Sequence, residues 1–244
     1  MSKKIRLDQL LVEKGLCETK SKAQALIRTG KVVVDGNPIT KPGTQISPDK
    51  EIKIKEGLKY VSRGGIKLES AINHFRIEVK DKICLDVGAS TGGFTDCLLK
   101  FDAQKVYAVD VGKGQLDWKL RNNPKVVVIE GFNARYLSEQ IIPEPIQLAT
   151  IDVSFISLTL ILPAVKTVLA DKAEMLALVK PQFELPPKFA KKGVVRSEKD
   201  QLKAVEKILN FSQSIGFLTK GWTKSAIKGP KGNQEYFVYL VNAG

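Results

Sequence analysis

The sequence of 244 residues holds 39 Lys and Arg against 26 Asp and Glu, a formal net charge of +13, and 43% of it is hydrophobic. That is enough apolar sequence for a sizeable core, best arranged as a small domain followed by a large one, and the charge points to a polyanionic partner whose phosphates Lys and Arg neutralise. Three scattered cysteines, Cys17, Cys84 and Cys97, exclude a disulfide framework or a zinc site and read as reduced, cytosolic core residues.

The first residues, with Lys3, Lys4, Arg6 and Asp8, lead into an amphipathic pattern rather than the apolar block of a secretory signal. Leu7, Leu10, Leu11 and Val12 mark a first helix stopped by Gly15, and a second helix runs from about Ser21 to Gly30; both glycines fall where helices end. Lys31-Val32-Val33-Val34 reads as a short strand, Asp35-Gly36-Asn37-Pro38 as a tight turn, and Ile52-Lys53-Ile54-Lys55 alternates as a half-buried edge strand does. Lys20, Lys22, Arg28 and Lys31 flank the second helix, where they either track a phosphate backbone or form a solvated face. Arg6-Leu7-Asp8, Ser21-Lys22-Ala23, Ile27-Arg28-Thr29-Gly30 and Val32-Val33-Val34-Asp35-Gly36 resemble, in order and spacing, the RNA-binding module named after small-subunit ribosomal protein four. The resemblance implies an α+β domain over residues 1–58 that binds structured RNA by shape and phosphate contacts, with Arg6 among the contacts.

Gly57-Leu58-Lys59-Tyr60-Val61-Ser62-Arg63-Gly64-Gly65 combines glycines with basic residues, and residues 59–65 read as a linker in which Arg63 is a further RNA contact. Residues 66–244 then alternate strand-like and helix-like runs, as in a mostly parallel sheet covered on both faces. Lys82-Ile83-Cys84-Leu85 is a buried strand that feeds the glycine loop from Asp86 to Phe94. Val106–Asp110, Val126–Glu130, Leu148–Asp152 and Met175–Val179 are the other strand candidates, and three of them end in an acid at the edge where such sheets bind ligands. Aligned on Gly88, a dinucleotide fingerprint needs glycine where Ser90 stands, and the Lys-Ser/Thr signature of nucleoside triphosphatases is missing. An acid at Asp86 repels a pyrophosphate but helps to hold an ammonium group, which favours S-adenosylmethionine, with Asp110 taking ribose hydroxyls.

Phe155 to Ala170 is the most lipid-like stretch, but it is too short to span a bilayer, carries Pro163 and Lys166, and reads as a core helix. Pro181 to Arg196 reads as a long loop whose Lys188, Lys191, Lys192 and Arg196 either touch RNA or are simply solvated. The lone His74 has no partner set for a metal, and none is expected.

The segments Ala89–Thr95, Val109–Gly112 with Gly114-Gln115-Leu116, Asp152–Leu158, Val179–Glu184 and Gly232–Tyr236 together resemble the TlyA family, whose older name is haemolysin A. With the N-terminal module, the resemblance covers nearly the whole chain. It implies an FtsJ-type methyltransferase over residues 66–244, an α/β domain with a Rossmann-like sheet and helices on both faces. It also implies S-adenosylmethionine as cofactor and ribosomal RNA or ribosomal subunits as partner, with methylation at a cytidine ribose 2′-hydroxyl in the cytoplasm. The family's Lys-Asp-Lys-Glu set is matched by Lys67, Asp152, Lys180 and Glu235. By the same resemblance Asp86, Gly88, Ser90, Gly92 and Phe94 line the methionine and ribose side of the cofactor, Asp110 holds its ribose, and Asn133 faces its adenine.

A ribose hydroxyl is a poor nucleophile at neutral pH, so its developing negative charge must be stabilised. A lysine ammonium about 4 Å away, at an effective dielectric near 20, is worth roughly 4 kcal/mol, or about 3 units of hydroxyl pKa. Lys180 is assigned that role, Lys67 the ribose or a flanking phosphate, and Asp152 and Glu235 the orientation of the lysines. Which group takes the proton stays open, because neighbouring charges and burial push a lysine in opposite directions. Two other classes compete: a membrane-active haemolysin, disfavoured by the lack of a signal or spanning segment, and a non-catalytic RNA-binding assembly protein, disfavoured by the intact four-residue set.

Overall fold

The computed structural model describes residues 4–55 and 59–244, so Lys3, Gly57 and Leu58 lie outside the described residues. The chain divides into two compact units between Lys59 and Tyr60.

In the smaller unit β1 (Ile5–Arg6) leads into α1 (Leu7–Glu13) and α2 (Lys20–Arg28), followed by β2 (Val32–Val34), β3 (Asn37–Ile39), β4 (Gln45–Ile46) and β5 (Ile52–Ile54). Helix α2 begins where the Thr19 hydroxyl accepts the Lys22 N–H and stops at Gly30, whose φ of +68° suits a residue without Cβ. The strands form one antiparallel sheet in the order β3-β2-β5 and a separate β1-β4 pair. Leu7, Leu11, Ala23, Ile27, Val32 and Val34 make its core, each of the larger side chains contributing about 1.5–3 kcal/mol by burial. Asp8 is fully buried, and the Arg6 guanidinium at 2.8 Å holds its carboxyl down at about 2, helped by Gln24 at 2.9 Å.

The larger unit holds α3 (Arg63–Phe75), β6 (Ile83–Val87), α4 (Gly93–Lys100), β7 (Lys105–Asp110), α5 (Trp118–Arg121), β8 (Val126–Glu130), β9 (Ile146–Ile151), α6 (Leu162–Lys166), β10 (Leu169–Val179), α7 (Pro181–Glu184), α8 (Glu198–Ser214), β11 (Phe217–Lys224) and β12 (Tyr236–Asn242). Its seven strands lie in the order β11-β12-β10-β9-β6-β7-β8, with β10, β9, β6, β7 and β8 parallel and β12 antiparallel to both of its neighbours. Alternation along the strands splits the core between two faces. Leu85, Val87, Val109, Ile151, Ala177 and Val179 pack with α6 and α8 residues such as Val165 and Ile208. Cys84, Val106, Leu148, Leu176 and Leu178 pack on the other face with Leu68 and Ile72 of α3 and Cys97 and Leu98 of α4.

Two expectations are corrected. Residues 60–65 are not a linker: Tyr60 is buried in the α3/α4 core, Val61 N–H donates to Asp96 at 2.8 Å, and Ser62 caps α3 by accepting the Gly64 N–H. The apolar ring of Tyr60 outweighs the surrounding glycines and basic residues that suggested a tether. Nor is Phe155–Ala170 one helix. It breaks into a 3-10 turn at Leu158–Leu160, capped by Ser157, then the five-residue α6, and Leu169 already pairs with Ile146 in the sheet. Pro163 is tolerated only in a first helical turn, so α6 starts around it and cannot continue back through it. Leu158, Ile161, Leu162 and Val165 are nonetheless core residues.

Gly65 lies against Tyr60 so closely that a Cβ there would fall 2.2 Å from the ring carbon Cγ. Gly65→Ala should therefore destabilise the larger unit by about 2 kcal/mol, overpacking outweighing the roughly 1 kcal/mol gained in helix propensity. Urea denaturation, read as a lower midpoint, checks this.

Candidate active site

The parallel pairing brings several strand ends to one edge. Val87 of β6 pairs with Val109 of β7 and with Ile151 of β9, and Ile151 pairs with Ala177 of β10. The Gly88 loop, Asp110 and Asp152 therefore emerge side by side, and Lys180 follows β10 at the same edge. Since Val179 is opposite Tyr236 in the antiparallel β10–β12 pair, Glu235 arrives there from the other direction.

The four residues expected to act together form two ion pairs, Lys67–Glu235 buried and Lys180–Asp152 partly exposed at Asp152, whose side chain is 20% accessible. Lys180 Nζ lies 2.5 Å from Asp152 Oδ1 and also donates to Ser154 Oγ at 2.9 Å. Lys67, from α3, lies 2.6 Å from Glu235 Oε2. Removing one partner of such a pair leaves an uncompensated charge at a cost of about 3–5 kcal/mol. Gly229 makes the Glu235 site tight, since a Cβ there would meet Oε1 at 2.5 Å.

A cavity of about 520 Å³ opens beside the glycine loop, within the range of small-molecule sites. Gly88, Ser90, Asp110, Gln115, Asn133 and Asp152 supply its polar groups, and Val111, Phe132, Ile156 and Ile161 much of its apolar wall. Gly88, at φ +85°, must be glycine, because a Cβ would stand 2.5 Å from the Asp152 carbonyl oxygen. Asp110 stitches the loops together, its two oxygens accepting the N–H groups of Ser90 at 2.8 Å and Gly112 at 2.6 Å. Glu130 does the same one strand further on, where Arg121 and the Gly114 and Leu116 N–H groups hold its carboxyl at about 2.

Asp86, Gly92 and Phe94 do not line this cavity. Asp86 is one step out of phase with Leu85 and Val87 on its strand, so it faces α4 and is completely buried. Its Oδ2 accepts the Thr95 hydroxyl at 2.6 Å, and burial raises its carboxyl to about 7 against the lowering effect of that bond. An acid so placed is not positioned to hold an ammonium group in the cavity. Phe94 packs on Phe237 at 6.0 Å between ring centroids, and Gly92 closes against Leu120.

A second cavity, of about 480 Å³, is lined by Lys180, Glu235, Lys231, Asn233, Gln182 and Phe183. Ser154 and Phe155 line both cavities. Phe155 has φ +63°, is 89% exposed, and packs its ring on Phe183 at 4.9 Å; that backbone costs about 1–2 kcal/mol for a non-glycine residue. Sequence reasoning did not single out Ser154, Phe155, Gln115 or Phe132, although all four lie inside or beside motifs it quoted. It also missed Asn233, whose buried amide accepts the Val195 N–H at 2.9 Å and donates to the Gly193 carbonyl at 2.8 Å. That anchors the basic segment, which also contains α7 and a 3-10 turn at Pro187–Phe189.

The cationic residues behave differently from one another. Lys20, Arg28, Lys31, Lys188, Lys191, Lys192 and Arg196 are exposed. Arg6 is committed to Asp8 and Lys22 pairs with Glu18, while Arg63 reaches the Lys228 carbonyl at 3.4 Å. His74 is exposed and packs edge-on against Phe75, and no group of three His, Cys, Asp or Glu that could hold a metal occurs among the described residues.

Residues 60–242 match the profile of the FtsJ-like methyltransferase family, and residues 5–52 match that of the S4 domain. Among curated proteins, hemolysin A of Brachyspira hyodysenteriae is 45% identical over 97% of this chain and 100% of its own length. The 16S/23S rRNA (cytidine-2′-O)-methyltransferase TlyA of Mycobacterium tuberculosis strain H37Rv is 41% identical over 98% of this chain and 91% of its own. A solved structure from Streptococcus thermophilus, bearing a hemolysin name, is 43% identical, covers 99% of this chain and 90% of its own, and superposes with a TM-score of 0.76.

Asp86 makes stability depend on pH. An unfolded aspartate titrates near 3.9, so the folded state binds the proton more tightly, and its stabilising effect, complete below about pH 4, is lost as pH rises to about 7. Asp86→Asn should flatten the loss of stability between pH 5 and pH 8, measured by urea denaturation at both values; equal slopes in the two proteins would contradict it.

Proposed function

As the chain belongs to the TlyA family, an S4 domain ahead of an FtsJ-like methyltransferase domain, we propose that it methylates a cytidine ribose 2′-hydroxyl of ribosomal RNA, with S-adenosylmethionine as donor. One observation carries the reading: a cavity beside the glycine loop and a second one holding Lys180 and Glu235 share Ser154 and Phe155, with the Lys180–Asp152 ion pair between them. A donor site and an acceptor site that meet at a buried ammonium suit transfer to a weakly acidic hydroxyl.

The first cavity fits the cofactor. Asp110 and Asn133 supply polar groups for an adenosine, Phe132, Ile156 and Ile161 an apolar wall for its ring, and Gly88 the close backbone approach. With Asp86 turned into the core and Asp110 given to the ribose and to the Ser90 and Gly112 N–H groups, Asp152 is the cavity-wall carboxylate left to face an ammonium group. When bound, S-adenosylmethionine supplies a methyl group on a positively charged sulfur, which needs only an oxygen nucleophile in line.

This chain's residues would prepare that nucleophile. Lys180 stabilises the negative charge that develops on the oxygen as its proton passes to solvent water, and Asp152 and Ser154 fix the direction of the Lys180 ammonium. Lys67 lines neither cavity; paired with Glu235, it is the second cation proposed for the ribose or its neighbouring phosphate. Both ion pairs are largely buried, so water does little to screen them.

The S4 domain and the exposed Lys20, Arg28, Lys31, Lys188, Lys191, Lys192 and Arg196 support contacts with the RNA backbone, and Arg63 is a further candidate. Arg6 serves first to neutralise Asp8, leaving its exposed part for RNA. Ribosomal subunits as substrate carry with them a cytoplasmic site of action. The haemolysin names attach to relatives aligned over the same residues as the methyltransferase, and no described helix is long and apolar enough to cross a membrane.

Incubation with labelled S-adenosylmethionine and purified 30S and 50S subunits lacking the modification should place label in RNA, and Lys180→Ala should lower the rate about 1,000-fold, the equivalent of roughly 4 kcal/mol. RNA binding with no transfer by the wild type would favour a scaffold, and vesicle leakage a lytic protein.

A further inference from the structure

Glu184, the last residue of the Val179–Glu184 segment, has been given no role, yet it is buried and bonded to two other elements. It closes α7, the single turn that starts at Lys180: the Lys180 carbonyl accepts the Phe183 N–H at 2.9 Å, and the Pro181 carbonyl accepts the Leu185 N–H at 3.1 Å. Lysine and carboxylate thus stand at the two ends of one short rigid piece. Glu184 Oε1 accepts the Leu158 N–H at 2.8 Å and Oε2 accepts the Ser157 hydroxyl. Lys207 of α8 donates to Oε2 at 3.2 Å and to the Glu184 carbonyl at 2.8 Å.

Ser157 and Leu158 end the segment that begins at Asp152. Midway along it Phe155 holds a left-handed backbone with an exposed side chain, so its own burial does not secure that conformation. A strained backbone of this kind persists only where its surroundings over-determine it. The bonds to Glu184 fall on the two residues where that segment enters its capped 3-10 turn.

We propose that Glu184 is a positioning residue for methyl transfer. By holding Ser157 and Leu158 it clamps the loop carrying Asp152, Ser154 and Phe155 to the turn carrying Lys180, and so sets the geometry of the Lys180–Asp152 pair. The proposal rests on the reading of that pair as the reaction centre. A carboxylate suits the task because its two oxygens accept from a backbone N–H and a hydroxyl at once, and Lys207 compensates its charge in a buried place. Glutamine at this position keeps one acceptor oxygen but loses the second and the charge.

The test measures methyl transfer to undermodified ribosomal subunits by the full-length wild type, Glu184→Gln and the milder Ser157→Ala, with cofactor Kd and thermal midpoint for each. The expected result is a kcat at least tenfold lower in Glu184→Gln and several-fold lower in Ser157→Ala, while cofactor Kd and the KM for subunits stay within about twofold. Should Glu184→Gln fail to fold, the same split in Ser157→Ala carries the test. Unchanged kcat, or losses in kcat that are matched by weaker cofactor binding and a lower thermal midpoint, would overturn the clamp and leave Glu184 a stabilising residue. Absence of transfer by the wild type would instead remove the methyltransferase reading, and the clamp with it.

Discussion

Parallel pairing of β9 with β6 on one side and, regular from Glu174 to Ala177, with β10 on the other is the constraint from which the site follows. Strands that run in the same direction and pair through Val87, Ile151 and Ala177 must finish together, so whatever follows them is delivered to one edge. The antiparallel entry of β12 adds Glu235, a residue from the far end of the chain. A slip of one residue in any of these pairings would turn Asp152 or Lys180 from the edge into a core face, because side chains alternate with a period of two.

The edge is unusual in what it buries. Two ammonium–carboxylate pairs lie there, one buried and one with its Asp152 half-buried at the cavity wall, and pairs of this kind return little net stability once desolvation is counted. In the proposed methyl transfer their worth is functional: an ammonium fixed in a low-dielectric place acts strongly on a developing negative charge without reorganising. The surrounding hydrogen bonds serve the same end. Asp110 and Glu130 tie the loops beside the glycine-loop cavity, Asn233 ties the basic segment, and the strained Phe155 lines both cavities.

Much of the fold is legible in the residues. The parallel strands are apolar runs, four of the five closed or followed by an acid or a lysine, as suits strands of a covered parallel sheet, and the small unit announces its helices by terminal glycines. Three misreadings have a common cause, which is that local composition was weighed without the partner surface. Asp86 sits beside a glycine loop in sequence, but strand alternation turns it into the core. Tyr60 is surrounded by glycines and basic residues, yet one buried ring makes it part of the large unit. Phe155–Ala170 has the composition of a core helix, but Pro163 and the pull of β9 on Leu169 divide it. The pairing of Lys180 with Asp152 rather than Glu235 is set by strand order, which spacing along the chain does not encode.

The proposed role of these strand ends is to activate a ribose hydroxyl beside the methyl donor. It is tested most directly by digesting wild-type-treated ribosomal RNA to nucleosides and locating the added methyl by mass spectrometry. The expected product carries a methyl on the ribose of a cytidine, with the adjoining phosphodiester bond resistant to alkali because its 2′-hydroxyl is blocked. A methyl on the base, with the bond still cleaved by alkali, would contradict it.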